Sequence, residues 1–127
     1  MKKKLSFEDK TILIVEDVET SIKFFEAALK GTKAKLLYAE TGEEAIKLFD
    51  ENPDISLVLL DLNLPEISGF EVLKYIRKKN NNIPVIVQSA YILSGEKEQS
   101  MKLGANYFLE KPIRLDVLLE TISNYLS

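Results

Sequence analysis

The run Leu57-Val58-Leu59-Leu60 is apolar without a break and ends on Asp61. A half-exposed strand alternates apolar with polar residues, so an unbroken run needs cover on both faces. Other segments repeat the pattern. Thr11-Ile12-Leu13-Ile14-Val15 reads as a buried strand stopped by Glu16-Asp17, and Pro84-Val85-Ile86-Val87-Gln88 as another, with proline tolerated at its first position. Ala34 to Ala39 is less apolar and suits a strand near an edge, and Tyr107-Phe108-Leu109 makes a short fifth strand.

Amphipathic segments fill the gaps. Ile22, Phe25 and Leu29 fall at helical spacing before Gly31, and Ala45, Ile46 and Phe49 do so before Asn52-Pro53. Ser68-Gly69 opens a helix with Phe70, Leu73 and Ile76 inward and Arg77-Lys78-Lys79 at its C-terminal end, where cations suit the helix dipole. A polar helix is predicted from about Gly95 to Leu103, and Leu115, Leu118, Leu119 and Ile122 mark the last one. Five strands alternating with five helices imply an α/β fold, a parallel sheet covered on both faces. Right-handed crossovers favour the strand order 2-1-3-4-5. No linker or repeat divides the chain, so residues 1–127 read as one domain behind a lead-in over 1–10.

What the chain lacks narrows its chemistry. It has no histidine and no cysteine, which excludes a Ser-His-Asp triad, a histidine or thiolate metal site, and a disulfide framework. The net charge of -3 argues against a general affinity for nucleic acid or anionic membrane, and Lys2-Lys3-Lys4 reads as a solvated tail. No apolar run approaches the roughly 18 residues that span a bilayer, and the N-terminus lacks the apolar core of a signal peptide.

In such a sheet, ligands bind outside the carboxyl ends of the strands where the strand order reverses, here between the first and third strands. Glu16-Asp17 and Asp61 converge there, with Ser89 and Lys111 at the ends of strands four and five. Taken singly, each has a plainer reading as a helix cap, a turn residue or a surface charge. Together, three carboxylates this close would raise one another's pKa values unless a cation neutralised them, and oxygen-only ligands point to Mg²⁺. A carboxylate can also act as nucleophile and form an acyl phosphate, with the metal and Lys111 stabilising the charge in transfer.

The sets Ile12-Leu13-Ile14-Val15-Glu16-Asp17, Asp61-Leu62-Asn63-Leu64-Pro65 with Gly69, Ser89-Ala90, and Gly104-Ala105 through Lys111-Pro112 resemble the receiver domain of two-component response regulators over nearly the whole chain. That resemblance implies a flavodoxin-like fold and phosphoryl transfer from a histidine kinase or histidine phosphotransfer protein to Asp61. It implies that Glu16 (through water), Asp17, Asp61 and the backbone carbonyl of Asn63 hold Mg²⁺. Ser89 becomes the switch hydroxyl, Lys111 the partner of the phosphate, Phe108 the aromatic switch residue, and the Lys111-Pro112 bond is expected to be cis. Glu16 stands where the family often has Asp, Ser89 where Thr is commoner, Leu64 where Met is frequent, and Phe108 where Tyr is usual. Phe108 has no phenolic hydroxyl, so a switch there works by packing, while strand alternation points Tyr107 to the other face.

The resemblance further implies a signal carried by the face around residues 89–127 to a downstream effector or output domain, with room for a phosphorylation-dependent dimer. It implies no enzyme activity beyond self-phosphorylation and dephosphorylation, and a cytoplasmic place, alone or within a membrane-tethered hybrid histidine kinase. Asn63 and Tyr91 flank the site and are expected to tune hydrolysis. An aspartate-nucleophile phosphohydrolase is the catalytic alternative, weakened because Asn63 stands where that class needs a second Asp. A flavin mononucleotide carrier is opposed by Glu16-Asp17, which would repel the ligand phosphate, and a docking module without phosphorylation by the intact acidic set.

Overall fold

The computed structural model describes residues 6–90 and 95–126, so the Lys2-Lys3-Lys4 tail and Tyr91 lie outside the described residues. The strands are β1 (Thr11–Val15), β2 (Lys35–Ala39), β3 (Leu57–Asp61), β4 (Val85–Ser89) and β5 (Tyr107–Glu110). The helices are α1 (Glu19–Leu29), α2 (Gly42–Glu51), α3 (Gly69–Lys79), α4 (Glu96–Lys102) and α5 (Leu115–Leu126). A short 3₁₀ turn, Lys30–Thr32, follows α1 and carries the chain past Gly31. All strand pairs are parallel in the order β2-β1-β3-β4-β5, as the alternation predicts, with β2 at an edge.

Burial follows the unbroken apolar runs. Every residue of β1, β3 and β4 is buried, whereas β2 shows the partial exposure of an edge strand. One sheet face carries Ile12, Ile14, Leu57, Leu59 and Ile86 against Phe25 and Leu29 of α1 and Leu118 and Ile122 of α5. The opposite face carries Leu13, Val15, Val58, Leu60, Val87 and Phe108 against Ala45 of α2 and Val72, Leu73 and Ile76 of α3. Each buried Val, Leu, Ile or Phe among them contributes about 1.5–3 kcal/mol, so β1, β3 and β4 are firmly held from both faces. In α5 the spacing picks out Leu118 and Ile122 correctly, but Leu115, in the first turn of that helix, is exposed.

Local signals set the helix starts. The Thr41 hydroxyl accepts the Glu44 N–H at 3.1 Å, while the Glu44 carboxylate accepts the Glu40 N–H at 2.8 Å. Ser68 caps α3 by accepting from Glu71 N–H. Gly69 then lies so close to β3 that a Cβ there would stand 2.4 Å from the Asp61 carbonyl oxygen and 2.5 Å from Leu62 Cα. Its own N–H donates to the Leu62 carbonyl at 3.1 Å. The glycine therefore lets α3 start directly against the strand end that carries Asp61.

This contact has a measurable consequence. Gly69→Ala must push the β3 end and α3 apart, and is expected to cost about 1–3 kcal/mol in urea unfolding. Gly31→Ala, where nothing lies within 4 Å, is expected to be neutral or to stabilise by up to about 1 kcal/mol. Equal effects of the two substitutions would contradict the close approach at Gly69.

Candidate functional site

β1 and β3 are neighbours, yet their outgoing connections cross opposite faces of the sheet, and the crevice between them opens at their carboxyl ends. Glu16 follows β1 directly, and its backbone N–H donates to the Ala39 carbonyl at 2.9 Å, which fixes its position. Glu16 is 1% exposed, and Asp61, the last residue of β3, is 2% exposed. Asp17 is exposed at the rim. One carboxylate oxygen from each of Glu16, Asp17 and Asp61 lies within 4.8 Å of the others. The three acids singled out in the sequence are thus brought together.

Each buried carboxylate is held at both oxygens. Glu16 Oε2 accepts the backbone N–H groups of Asp17 and Val18, both at 3.1 Å, in a small nest. Glu16 Oε1 accepts Lys111 Nζ at 2.9 Å and Gln88 Nε2 at 3.5 Å. Asp61 Oδ1 accepts the Asn63 N–H at 2.9 Å, and Asp61 Oδ2 accepts Lys111 Nζ at 3.2 Å. The Lys111 backbone N–H donates to the Ser89 carbonyl at 2.9 Å, which anchors the residue beside the end of β4. Its bond to Pro112 is cis, as expected.

Burial pushes the Glu16 carboxyl above its ordinary value of 4.5, with Lys111 pulling it down and the Asp61 charge pushing it up. Burial works to lower the Lys111 ammonium, but Glu16 and Asp61 outweigh it, and the net shift is upward. Three carboxylates face one ammonium, which leaves a surplus of negative charge in a crevice that is partly dry. An oxygen-only donor set with that surplus suits a hard divalent cation.

The opposite wall of the site is polar and more open. Ser89 ends β4 with its side chain buried, and its hydroxyl donates toward Asn63 Oδ1 at 3.0 Å and toward Glu96 Oε1. Asn63 Nδ2 donates to Glu96 Oε2 at 3.1 Å. Phe108 is buried beside Val87, its register partner on β4, in the α3-side core rather than in the crevice. Tyr107 does lie on the other face, 43% exposed.

Two residues of this site were not singled out in the sequence. Glu96 looks like any acid in the first turn of a polar helix, and no periodicity marks it. Gln88 carried a weak signal as the polar member of an apolar strand. Its Oε1 is buried without a partner among the described residues. A cleft of about 400 Å³, lined by Phe24, Phe25, Gln88, Lys111, Pro112 and Ile113, adjoins the acids on the α1 side.

Comparison with known proteins agrees with this geometry. The family model described as the response regulator receiver domain matches residues 12–123. The polar-differentiation response regulator DivK of Brucella abortus is 35% identical over 120 residues, which cover 92% of this chain and 96% of that protein. The signal receiver domain of a LuxO repressor protein from Vibrio parahaemolyticus superposes with a TM-score of 0.84 at 32% identity, over 92% of this chain and 89% of that one. A chain of the CheX-CheY-BeF3-Mg+2 complex from Borrelia burgdorferi gives a TM-score of 0.86 at 25% identity, over 93% of this chain and 90% of that one.

A divalent cation at 100 times its Kd is expected to stabilise the chain by about 2.7 kcal/mol, read as a rise in melting temperature. Asp17→Asn should remove most of that gain. Cation binding needs ionised carboxylates, so the gain is full at neutral pH and fades as the pH falls. The raised Glu16 pKa starts that loss above 4.5. A gain that Asp17→Asn leaves unchanged would contradict the acidic site.

Proposed function

The chain belongs to the response regulator receiver domain family, and from that premise we propose that Asp61 is its phosphoacceptor. The observation that carries this reading is the placement of Asp61. Its carboxylate is a buried member of the acidic trio, with one oxygen held by Asn63 N–H and the other facing Lys111 at 3.2 Å.

Mg²⁺ is the metal this reading assigns, held by Glu16, Asp17, Asp61 and the backbone carbonyl of Asn63. When bound, it supplies Lewis-acid stabilisation of the phosphoryl oxygens and neutralises the surplus charge. The remaining chemistry belongs to the chain. Asp61 Oδ2 attacks the phosphorus of a phosphohistidine, the P–N bond breaks as the O–P bond forms, and the imidazole leaves with a proton. Lys111 is already aimed at that oxygen, so its ammonium meets the charge that builds on the phosphoryl group. Rigid placement on β3 holds the nucleophile against Gly69 without reorganisation.

The donor is a histidine kinase or histidine phosphotransfer protein, and the apolar-lined cleft between α1 and the β5–α5 turn offers it a foothold beside Asp61. The signal then passes through Ser89 and Phe108 to the face around residues 89–127, and so to an effector or output domain. A phosphohydrolase is disfavoured because the Asn63 side chain engages Ser89 and Glu96 and offers no second acid at the crevice.

Incubation with acetyl phosphate and Mg²⁺ tests the assignment. Wild type is expected to take up one phosphoryl group that acid, base and hydroxylamine all release. Lys111→Ala is expected to slow its uptake by about 10²–10³-fold. Uptake by Asp61→Asn equal to wild type would overturn the reading.

A further inference from the structure

We propose that Glu96 is a latch on the switch hydroxyl, a positioning residue that holds α4 in its resting place until a phosphoryl group takes the Ser89 proton. The proposal rests on Asp61 as phosphoacceptor. Its basis is a bridge across three elements. Glu96 is the first residue of α4, half-buried, and its two carboxylate oxygens face different partners. Oε1 meets the Ser89 hydroxyl at the end of β4, and Oε2 accepts from Asn63 Nδ2 at 3.1 Å in the loop after β3.

Asn63 completes a relay to the reacting group. Its side chain holds Glu96 while its backbone N–H holds Asp61 Oδ1 at 2.9 Å. A change at Asp61 therefore reaches the α4 start through one intervening residue. α4 enters through Gly95 at φ 81°, in the left-handed region, so its first turn follows a sharp bend whose position the Glu96 bridge fixes.

A hydroxyl has one proton to donate. In the resting chain the Glu96 carboxylate and the Asn63 carbonyl compete for it. Phosphoryl oxygens on Asp61 would enter that competition with a greater charge, and that charge would also repel the Glu96 carboxylate. The Ser89 proton cannot satisfy both anions. Phosphorylation thus releases Glu96 Oε1 from Ser89, and the α4 start loses the bond that ties it to β4, keeping only its tie to Asn63. Conversely, the latch opposes the active arrangement in the unmodified chain, because reaching it gives up a hydrogen bond to a charged acceptor.

Affinity for the phosphoryl mimic trifluoroberyllate, measured with saturating Mg²⁺, reads the latch. Glu96→Ala is expected to tighten binding about tenfold, the worth of a hydrogen bond to a charged group, and Glu96→Gln by less, since an amide keeps the shape without the charge. In a Ser89→Ala background the gain from Glu96→Ala should fall below about threefold, because the proton in dispute is gone. No gain in either Glu96 variant, or an equal gain with and without Ser89, would overturn the latch.

Hydrogen exchange of the unmodified chain without Mg²⁺ separates failure of the latch from failure of the phosphoacceptor reading. Glu96→Ala is expected to speed exchange across residues 97–102 about tenfold. A wild type that binds no trifluoroberyllate would contradict the role of Asp61. Exchange in α4 that Glu96→Ala leaves unchanged would overturn the latch by itself.

Discussion

A single ammonium, Lys111 Nζ, stands between two buried carboxylates, 2.9 Å from Glu16 and 3.2 Å from Asp61. Everything else at the site depends on this arrangement. Taking three charges out of water costs several kcal/mol per ion, and mutual attraction recovers that only with good geometry and further hydrogen bonds. The chain supplies those bonds from the backbone, through Asp17, Val18 and Asn63, and so fixes each carboxylate without neutralising it. The result is a charge surplus held rigid, which serves ion and phosphoryl binding better than it serves stability. The Glu16 carboxyl is pushed above its ordinary value chiefly by burial, with the Asp61 charge adding to it.

Rigidity comes from the sheet. β3 is buried along its whole length, and apolar side chains on both faces fix the height at which Asp61 emerges. Gly69 then brings α3 against that end with no side chain between. The backbone of a carboxylate placed this way is held in position by the sheet rather than by its own side-chain contacts. The polar side of the crevice is different, since Ser89, Asn63 and Glu96 form bonds that can be exchanged for others. One wall is held by backbone hydrogen bonds and buried ion pairs, the other by bonds between polar side chains.

The first wall was legible in the sequence because it obeys period and position. Unbroken apolar runs predict strands covered on both faces, their order places the switch point, and Glu16, Asp17, Asp61 and Lys111 each lie at a strand end. The second wall was legible only in part. Asn63 and Ser89 sit beside strand ends, but Glu96 reaches the site from 33 residues beyond Asn63, through a bond no local pattern encodes. Leu115 shows the same limit for packing, since helical spacing says which residues share a face but not which turns of the helix are covered. Gln88 sits between these cases: its place within an apolar strand was visible, while its aim at Glu16 required the fold.

The central claim is that the phosphoryl group is carried as an acyl phosphate on the side chain that ends β3. Borohydride reduction of the phosphorylated chain, followed by peptide mapping, tests it directly, because an aspartyl phosphate is reduced to homoserine while phosphoesters are not. Homoserine at position 61 alone is the expected result. Reduction at Asp17 instead, or a phosphoryl group that survives borohydride on a hydroxyl such as Ser89, would contradict the account.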